Sequence, residues 1–141
     1  MIKRVIIMVA VFFLVISSVS AADDNMIKLN VNNNTFDVKL EKNPAADELF
    51  KKLQEGNITV NAKDYGGFEK VGNLGFNLPS NDEDVMASPG DLMLYQSNQL
   101  SLFYNDHTWD YTKLGEIQNV SSDKLKNILS TGDATITLSL K

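Results

Sequence analysis

Apolar and polar residues alternate along much of the chain. Ile27, Leu29 and Val31 alternate with Lys28 and Asn30, and Phe36, Val38 and Leu40 alternate with Asp37 and Lys39. Asn32-Asn33-Asn34 lies between the two runs, and asparagine tolerates the positive φ of a tight turn. A period of two on both sides of a turn predicts an opening β-hairpin. Ile58, Val60 and Ala62 predict a third strand. Leu92 and Leu94, then Leu100, Leu102 and Tyr104, predict two more about a Gln96–Gln99 turn. Trp109 to Ile117 is a further strand-like stretch. Ile136, Leu138 and Leu140, alternating with Thr135, Thr137 and Ser139, predict the last strand.

Two segments switch to helical spacing. Asn43-Pro44 offers a capping side chain followed by proline at the first helical position. Leu49, Phe50 and Leu53 then form a buried stripe, and Gly56 is a stop. Ser122 is read as the cap of a second helix, with Leu125, Ile128 and Leu129 on one face and Gly132 closing it. Residues 64–90 break both periods. Gly66, Gly67, Gly72, Gly75, Pro79, Pro89 and Gly90 fall here, so the stretch reads as a long irregular segment of the kind that carries function or motion. The order is two strands, a helix, a strand, the loop, three strands, a helix and a strand. Many strands and two helices suit a closed barrel capped at its ends, since closure removes sticky edges. Periodicity alone equally allows an open α+β sheet.

The first residues predict a compartment. Lys3 and Arg4 precede an unbroken apolar run, Val5 to Ile16, and Ser17 to Ala22 supply small residues for cleavage. This is the layout of a secretory signal peptide over residues 1–22, with one domain over residues 23–141. The run is short for a spanning helix, which needs about 20 apolar residues. The expected location is therefore secreted or periplasmic, without stable membrane insertion after cleavage.

The chain carries a net charge of −5. Its one arginine is Arg4, so the remaining basic residues are all lysines and cleavage leaves the domain more acidic. An acidic, arginine-free surface is a poor match for phosphate backbones, which excludes nucleic acid as the expected partner. There is no cysteine. Disulfides and lipid attachment through cysteine are excluded, and stability must come from the core. One histidine and no cysteine cannot make the usual zinc set. Neither a metal nor another cofactor is implied.

Four stretches carry a family resemblance. Asn34 to Leu53 (NTFDVKLEKNPAADELFKKL), Asp64 to Gly75 (DYGGFEKVGNLG), Pro89 to Tyr104 (PGDLMLYQSNQLSLFY) and Tyr111 to Ile117 (YTKLGEI) resemble, in order, the small bacterial and archaeal cyclophilin-like domains. The resemblance implies a mainly β fold, a closed eight-stranded barrel with a helix at each open end. True cyclophilins bind proline peptides in an apolar, aromatic groove and use an arginine within a Phe-His-Arg motif. The matching segment here, YGGFEKVGNLGF (Tyr65 to Phe76), has no such motif, and Lys70 is its only base. Lysine is a point charge without the planar guanidinium fork. The expectation is a non-catalytic peptide or small-ligand binding domain, with a divergent prolyl isomerase using Lys70 or a backbone donor as the alternative. A peptide or protein partner is compatible with either.

Candidate groove residues are the aromatics Tyr65, Phe68, Phe76, Tyr95, Phe103, Tyr104 and Trp109, with Lys70. Alternation sets Leu100, Leu102 and Tyr104 on one face of their strand and Ser101 and Phe103 on the other. Both faces thus carry an aromatic, which a barrel with one wet side does not need; the competing explanation is that the set is barrel core and end-cap packing. His107, in DHTWDY beside Asp106 and Asp110, reads as a turn residue rather than a general base. A Ser-His-Asp triad would have to use this histidine, and no nucleophile-elbow motif accompanies it. Asp82-Glu83-Asp84, near Asn81 and Asp91, reads as a solvated loop; calcium is the alternative, because it takes oxygen ligands, but the spacing fits no EF-hand. Asn33-Asn34-Thr35, Asn57-Ile58-Thr59 and Asn119-Val120-Ser121 match the glycosylation pattern, which matters only in a host that glycosylates.

Overall fold

The computed structural model describes residues 25–141. The export segment read over residues 1–22 lies outside the described residues. The first hairpin forms as its alternation predicts. Strand β1 (Met26–Val31) pairs antiparallel with β2 (Asn34–Leu40), and Val31 faces Asn34 across a two-residue turn. Asn32 and Asn33 hold φ of 49° and 66°, the left-handed pair that matches the twist of a hairpin. Ile27, Leu29, Val31, Val38 and Leu40 are all buried on one side.

Helix α1 (Pro44–Glu55) begins where Asn43 accepts a hydrogen bond from the Ala46 amide at 2.8 Å, and Gly56 ends it. Its buried stripe is Ala45, Ala46, Leu49 and Leu53. Strand β3 (Ile58–Tyr65) follows, then two strands in the stretch read as irregular, β4 (Glu69–Asn73) and β5 (Glu83–Ala87). Strands β6 (Asp91–Tyr95), β7 (Gln99–Phe103) and β8 (His107–Ile117) come next. Helix α2 (Ser122–Leu129) is capped by Ser121 rather than Ser122, and it ends at Ser130, ahead of Gly132. Strand β9 (Ala134–Ser139) completes the chain.

Eight strands follow one another in the order β2-β1-β9-β3-β4-β7-β6-β8, and a β2–β8 pairing joins the ends into a ring. The fold is mainly β with two helices. The expected eight strands are supplemented by a ninth: β5 pairs only with the first half of β8, from Glu83↔Tyr111 to Ala87↔His107. The two strands form an arm projecting from the ring. A bulge between Leu92 and Met93 gives β8 one extra residue against β6. It lets Leu114 and Ile117, three residues apart, both reach the core. Just beyond it, Gly115 is required by a close approach, since a Cβ there would lie 2.6 Å from the Lys39 carbonyl oxygen.

The main core fills the ring. Leucine, isoleucine and valine from both helices and seven strands meet there, each contributing about 2 kcal/mol by leaving water. The helices close opposite ends: Asn43 Nδ2 donates to the Lys113 carbonyl at 2.8 Å near α1, and Asn32 Nδ2 donates to the Ile128 carbonyl at 3.3 Å in α2. A second, smaller cluster lies on the outer face of the ring. Met93 and Phe103 from the ring meet Ala87 and Tyr111 from the arm, with Phe68, Val85 and Tyr95 packed against them. This second cluster positions the site. Among the described residues no helix is long and apolar enough to cross a membrane.

Candidate functional site

The arm presents one face to the ring. Register places Val85 opposite Trp109 and Ala87 opposite His107, so His107, Trp109 and Tyr111 share a face. Across from them, the outward residues of β4, β7 and β6 are Glu69, Val71, Gln99 and Tyr95. The space between is an open groove of about 870 Å³, within the range that ligand sites occupy.

One lip is the β3–β4 turn. Gly66 and Gly67 hold φ of 67° and 74°. A Cβ at Gly66 would lie 2.2 Å from the Phe68 ring, so the glycine makes room for that ring. Asp64 Oδ2 accepts from the Gly67 amide at 3.1 Å, and Asn105 Nδ2 donates to the Gly67 carbonyl at 2.8 Å. Phe68 then stacks on His107, with centroids 3.8 Å apart and planes 12° from parallel, and meets Tyr65 edge to face. Below it lies Phe103, fully buried and roughly parallel at 6.1 Å.

The other lip is the β6–β7 turn. Gln96 and Ser97 sit at positive φ, which neither residue type favours. Hydrogen bonds hold them there: Asp82 Oδ2 accepts from the Gln96 amide at 3.1 Å, and Ser80 and Ser97 share a hydroxyl bond at 2.8 Å. The second oxygen of Asp82 accepts from Thr112 at 2.6 Å. The acidic run therefore divides. Asp82 is a brace between β8 and this turn, while Glu83 and Asp84 open β5. Among the described residues no cluster of three or more His, Asp or Glu is placed to hold a metal.

The floor holds a residue that sequence reasoning passed over. Glu69 lines the groove yet is only 5 % exposed. Ser101, fully buried beside it, donates its hydroxyl to Glu69 Oε1. Burial pushes the carboxyl above its ordinary value, while the Ser101 hydrogen bond and the nearby His107 and Tyr111 oppose that rise. Tyr111 is itself buried beside Glu69, and its hydroxyl is pushed above the ordinary range by burial and by that carboxylate. Shifted groups in a cleft are a mark of functional sites. No apolar–polar signature marked this acid, because β4 buries a charged side chain on each face, Lys70 inward and Glu69 outward.

Of the candidates from sequence, Tyr65, Phe68, Tyr95 and Trp109 line the groove, and Phe103 lies beneath it. Lys70, Phe76 and Tyr104 do not. Lys70 is 1 % exposed and points to the inner side of β4, away from Glu69 and Val71. Its Nζ lies 3.2 Å from Asp64 Oδ1 and over the Tyr104 ring. Tyr104 faces inward with Leu100 and Leu102, as alternation requires, and donates to Asp64. That hydrogen bond holds the Asp64 carboxyl below its usual value, while burial, then Asp64, pushes the Tyr104 hydroxyl up to about 12. Phe76 packs on the core under Lys52 of α1. His107 is not a turn residue; it opens β8 and forms part of the groove wall. A second cavity of about 380 Å³ lies behind the arm, between Pro44 and Lys113, and Tyr111 lines both spaces.

No functionally curated protein matches the chain. Among solved structures, the solution structure of a hypothetical protein from Archaeoglobus fulgidus is similar, with a TM-score of 0.58 at 15 % identity; the match covers 82 % of this chain and 94 % of that one. At that identity the likeness speaks for the fold. The family model described as the cyclophilin-like family matches residues 29–140, from within β1 through the rest of the ring, the arm and both helices. The chain belongs to the cyclophilin-like family.

Proposed function

We propose that this chain is an exported, non-catalytic binding domain, and that the groove between the β5–β8 arm and the outer face of the ring holds a small ligand or a peptide side chain with an apolar body. One observation carries the reading. Large aromatic side chains stay open to solvent around this space, with Tyr65 63 % and Trp109 55 % exposed, although buried rings lie directly below them. Exposed aromatics rimming a concave, polar-floored opening are the usual dress of a binding site. Export is supported by the Lys3-Arg4 start, the apolar run Val5–Ile16 and the small residues that follow. The non-catalytic reading is supported by the position of Lys70, which turns away from the groove.

Trp109 is the one tryptophan, so its emission reports on the groove wall. Titration with proline tetrapeptides and with small aromatic compounds is expected to shift that emission saturably, without acceleration in a protease-coupled isomerisation assay. An unmoved emission spectrum across both sets rejects the groove. Robust isomerisation rejects the non-catalytic reading.

A further inference from the structure

Glu69 is a buried acid that no lysine pairs; His107 on the groove wall is the one basic side chain near it. Among the described residues, the lysine–carboxylate pairs are Lys28–Asp37, Lys70–Asp64, Lys113–Asp91 and Lys113–Glu116. Glu69 is in none of them. Its sequence neighbour Lys70, the obvious counter-ion, is spent on Asp64 on the other side of the sheet. Burying a carboxylate costs several kcal/mol unless it is paired. Ser101 supplies one hydroxyl, but no positive charge.

The walls above this acid are rings. Tyr65 and Phe68 stand edge to face on one side, 5.8 Å apart, and Tyr95 and Tyr111 do so on the other, 6.0 Å apart. Aromatic faces carry negative potential and attract ammonium groups, more strongly where water is excluded. No lysine lines the groove, and His107 is its one basic residue. The chain is acidic as a whole, which favours approach of a cation.

We infer that the groove selects a small organic cation, an ammonium group on an apolar body, with the charge held by Glu69 and flanked by the aromatic walls. The inference rests on the groove being a binding site and names the chemistry that site takes. The body would lie against Trp109 and Tyr65, where rings remain open, and the ammonium would supply the missing partner at the floor.

The test uses a matched pair of probes, 2-phenylethylammonium and 2-phenylethanol, read by Trp109 emission and by calorimetry at pH 7.5. The ammonium is expected to bind at least about tenfold tighter than the alcohol. Glu69→Gln, which keeps an acceptor for Ser101, is expected to bring that ratio to about one by weakening the ammonium far more than the alcohol. If Glu69→Gln fails to fold, Tyr65→Leu serves, since it removes an exposed ring and is expected to reduce the ammonium preference selectively. Equal affinity of the two probes for the native chain overturns the cation inference and leaves the groove standing. Binding of neither probe overturns both.

Discussion

The imidazole of His107 lies flat on the ring of Phe68, 3.8 Å between centroids. This contact joins the start of β8, and with it the arm, to the β3–β4 turn at the opposite lip. It is a tie across the groove made by two half-buried side chains. His107→Ala is expected to destabilise the fold by about 1 kcal/mol, the usual worth of an aromatic pair, and to quicken hydrogen exchange in β5 more than in β9. Urea denaturation and amide exchange check the two parts separately.

Gly66 and Gly67 separate two effects. Both hold left-handed φ, but only Gly66 faces the Phe68 ring; nothing lies within 4 Å of a Cβ at Gly67. Gly67→Ala is expected to cost about 1 kcal/mol for backbone strain alone. Gly66→Ala adds displacement of the ring, for a total of about 2–3 kcal/mol. It is also expected to weaken any groove ligand, whereas Gly67→Ala is not. Denaturation midpoints and Trp109 titrations make the comparison.

Glu69 sets a pH dependence whose sign follows from its surroundings. Its folded-state carboxyl titrates above the ordinary 4.5, mainly because burial disfavours the charge. Ser101 from β7 and His107 and Tyr111 from β8 favour the charge, and Asp64 from β3 disfavours it. A raised carboxyl means the folded state holds its proton longer than the unfolded chain. The destabilisation is absent below the ordinary value, grows as pH rises toward the folded value, and is complete above it. Glu69→Gln removes it. The stability difference between Glu69→Gln and the native chain is therefore expected to become more favourable to the variant from pH 4 to pH 7.5. Asp91, which does not interact with Glu69, titrates in both proteins and cancels from the difference. Paired urea melts at the two pH values measure it.

The inner side of β4 behaves differently. Lys70 is buried with Asp64 as its partner, while Asp64 is partly solvated and also accepts from Tyr104. Asp64→Ala strands a buried ammonium and is expected to cost about 3 kcal/mol. Lys70→Met replaces the stem with apolar volume and is expected to cost less than about 1 kcal/mol. Lys70→Met is also expected to leave groove titrations unchanged, because Lys70 and the groove's Glu69 lie on opposite faces of the sheet. Thermal melts of both variants and a titration of the second test these statements.

The elements that alternation and capping could reveal were legible. The Asn32–Asn33 hairpin, the Asn43 cap and strands β3, β6, β7, β8 and β9 all follow from spacing. Strands β4 and β5 were not, for a physical reason. In Glu69-Lys70-Val71-Gly72-Asn73 the two charged residues are buried on opposite faces, so the strand has no apolar–polar signature. Glu83–Ala87 starts with two exposed acids and leaves Met86 in solvent, because it belongs to an arm with a single hydrogen-bonded neighbour. The site divides in the same way. The aromatic walls could be named from composition, and alternation already separated Tyr104 from Phe103. The acid at the floor could not be named without the strand that buries it. The family resemblance carried the ring; the ninth strand, which makes a wall of the groove, came only with the structure.

Asp82 gives the cleft a property that no lining residue provides. One of its oxygens accepts from Thr112 at the root of the arm, and the other from the Gln96 amide at the far lip. One carboxylate thus pins the arm's root to the turn that forms this lip, reinforcing the β6–β8 ladder that already sets Thr112 beside Leu94. On the proposed binding reading, a groove braced at its root in this way would filter ligands by width ahead of the chemistry at Glu69.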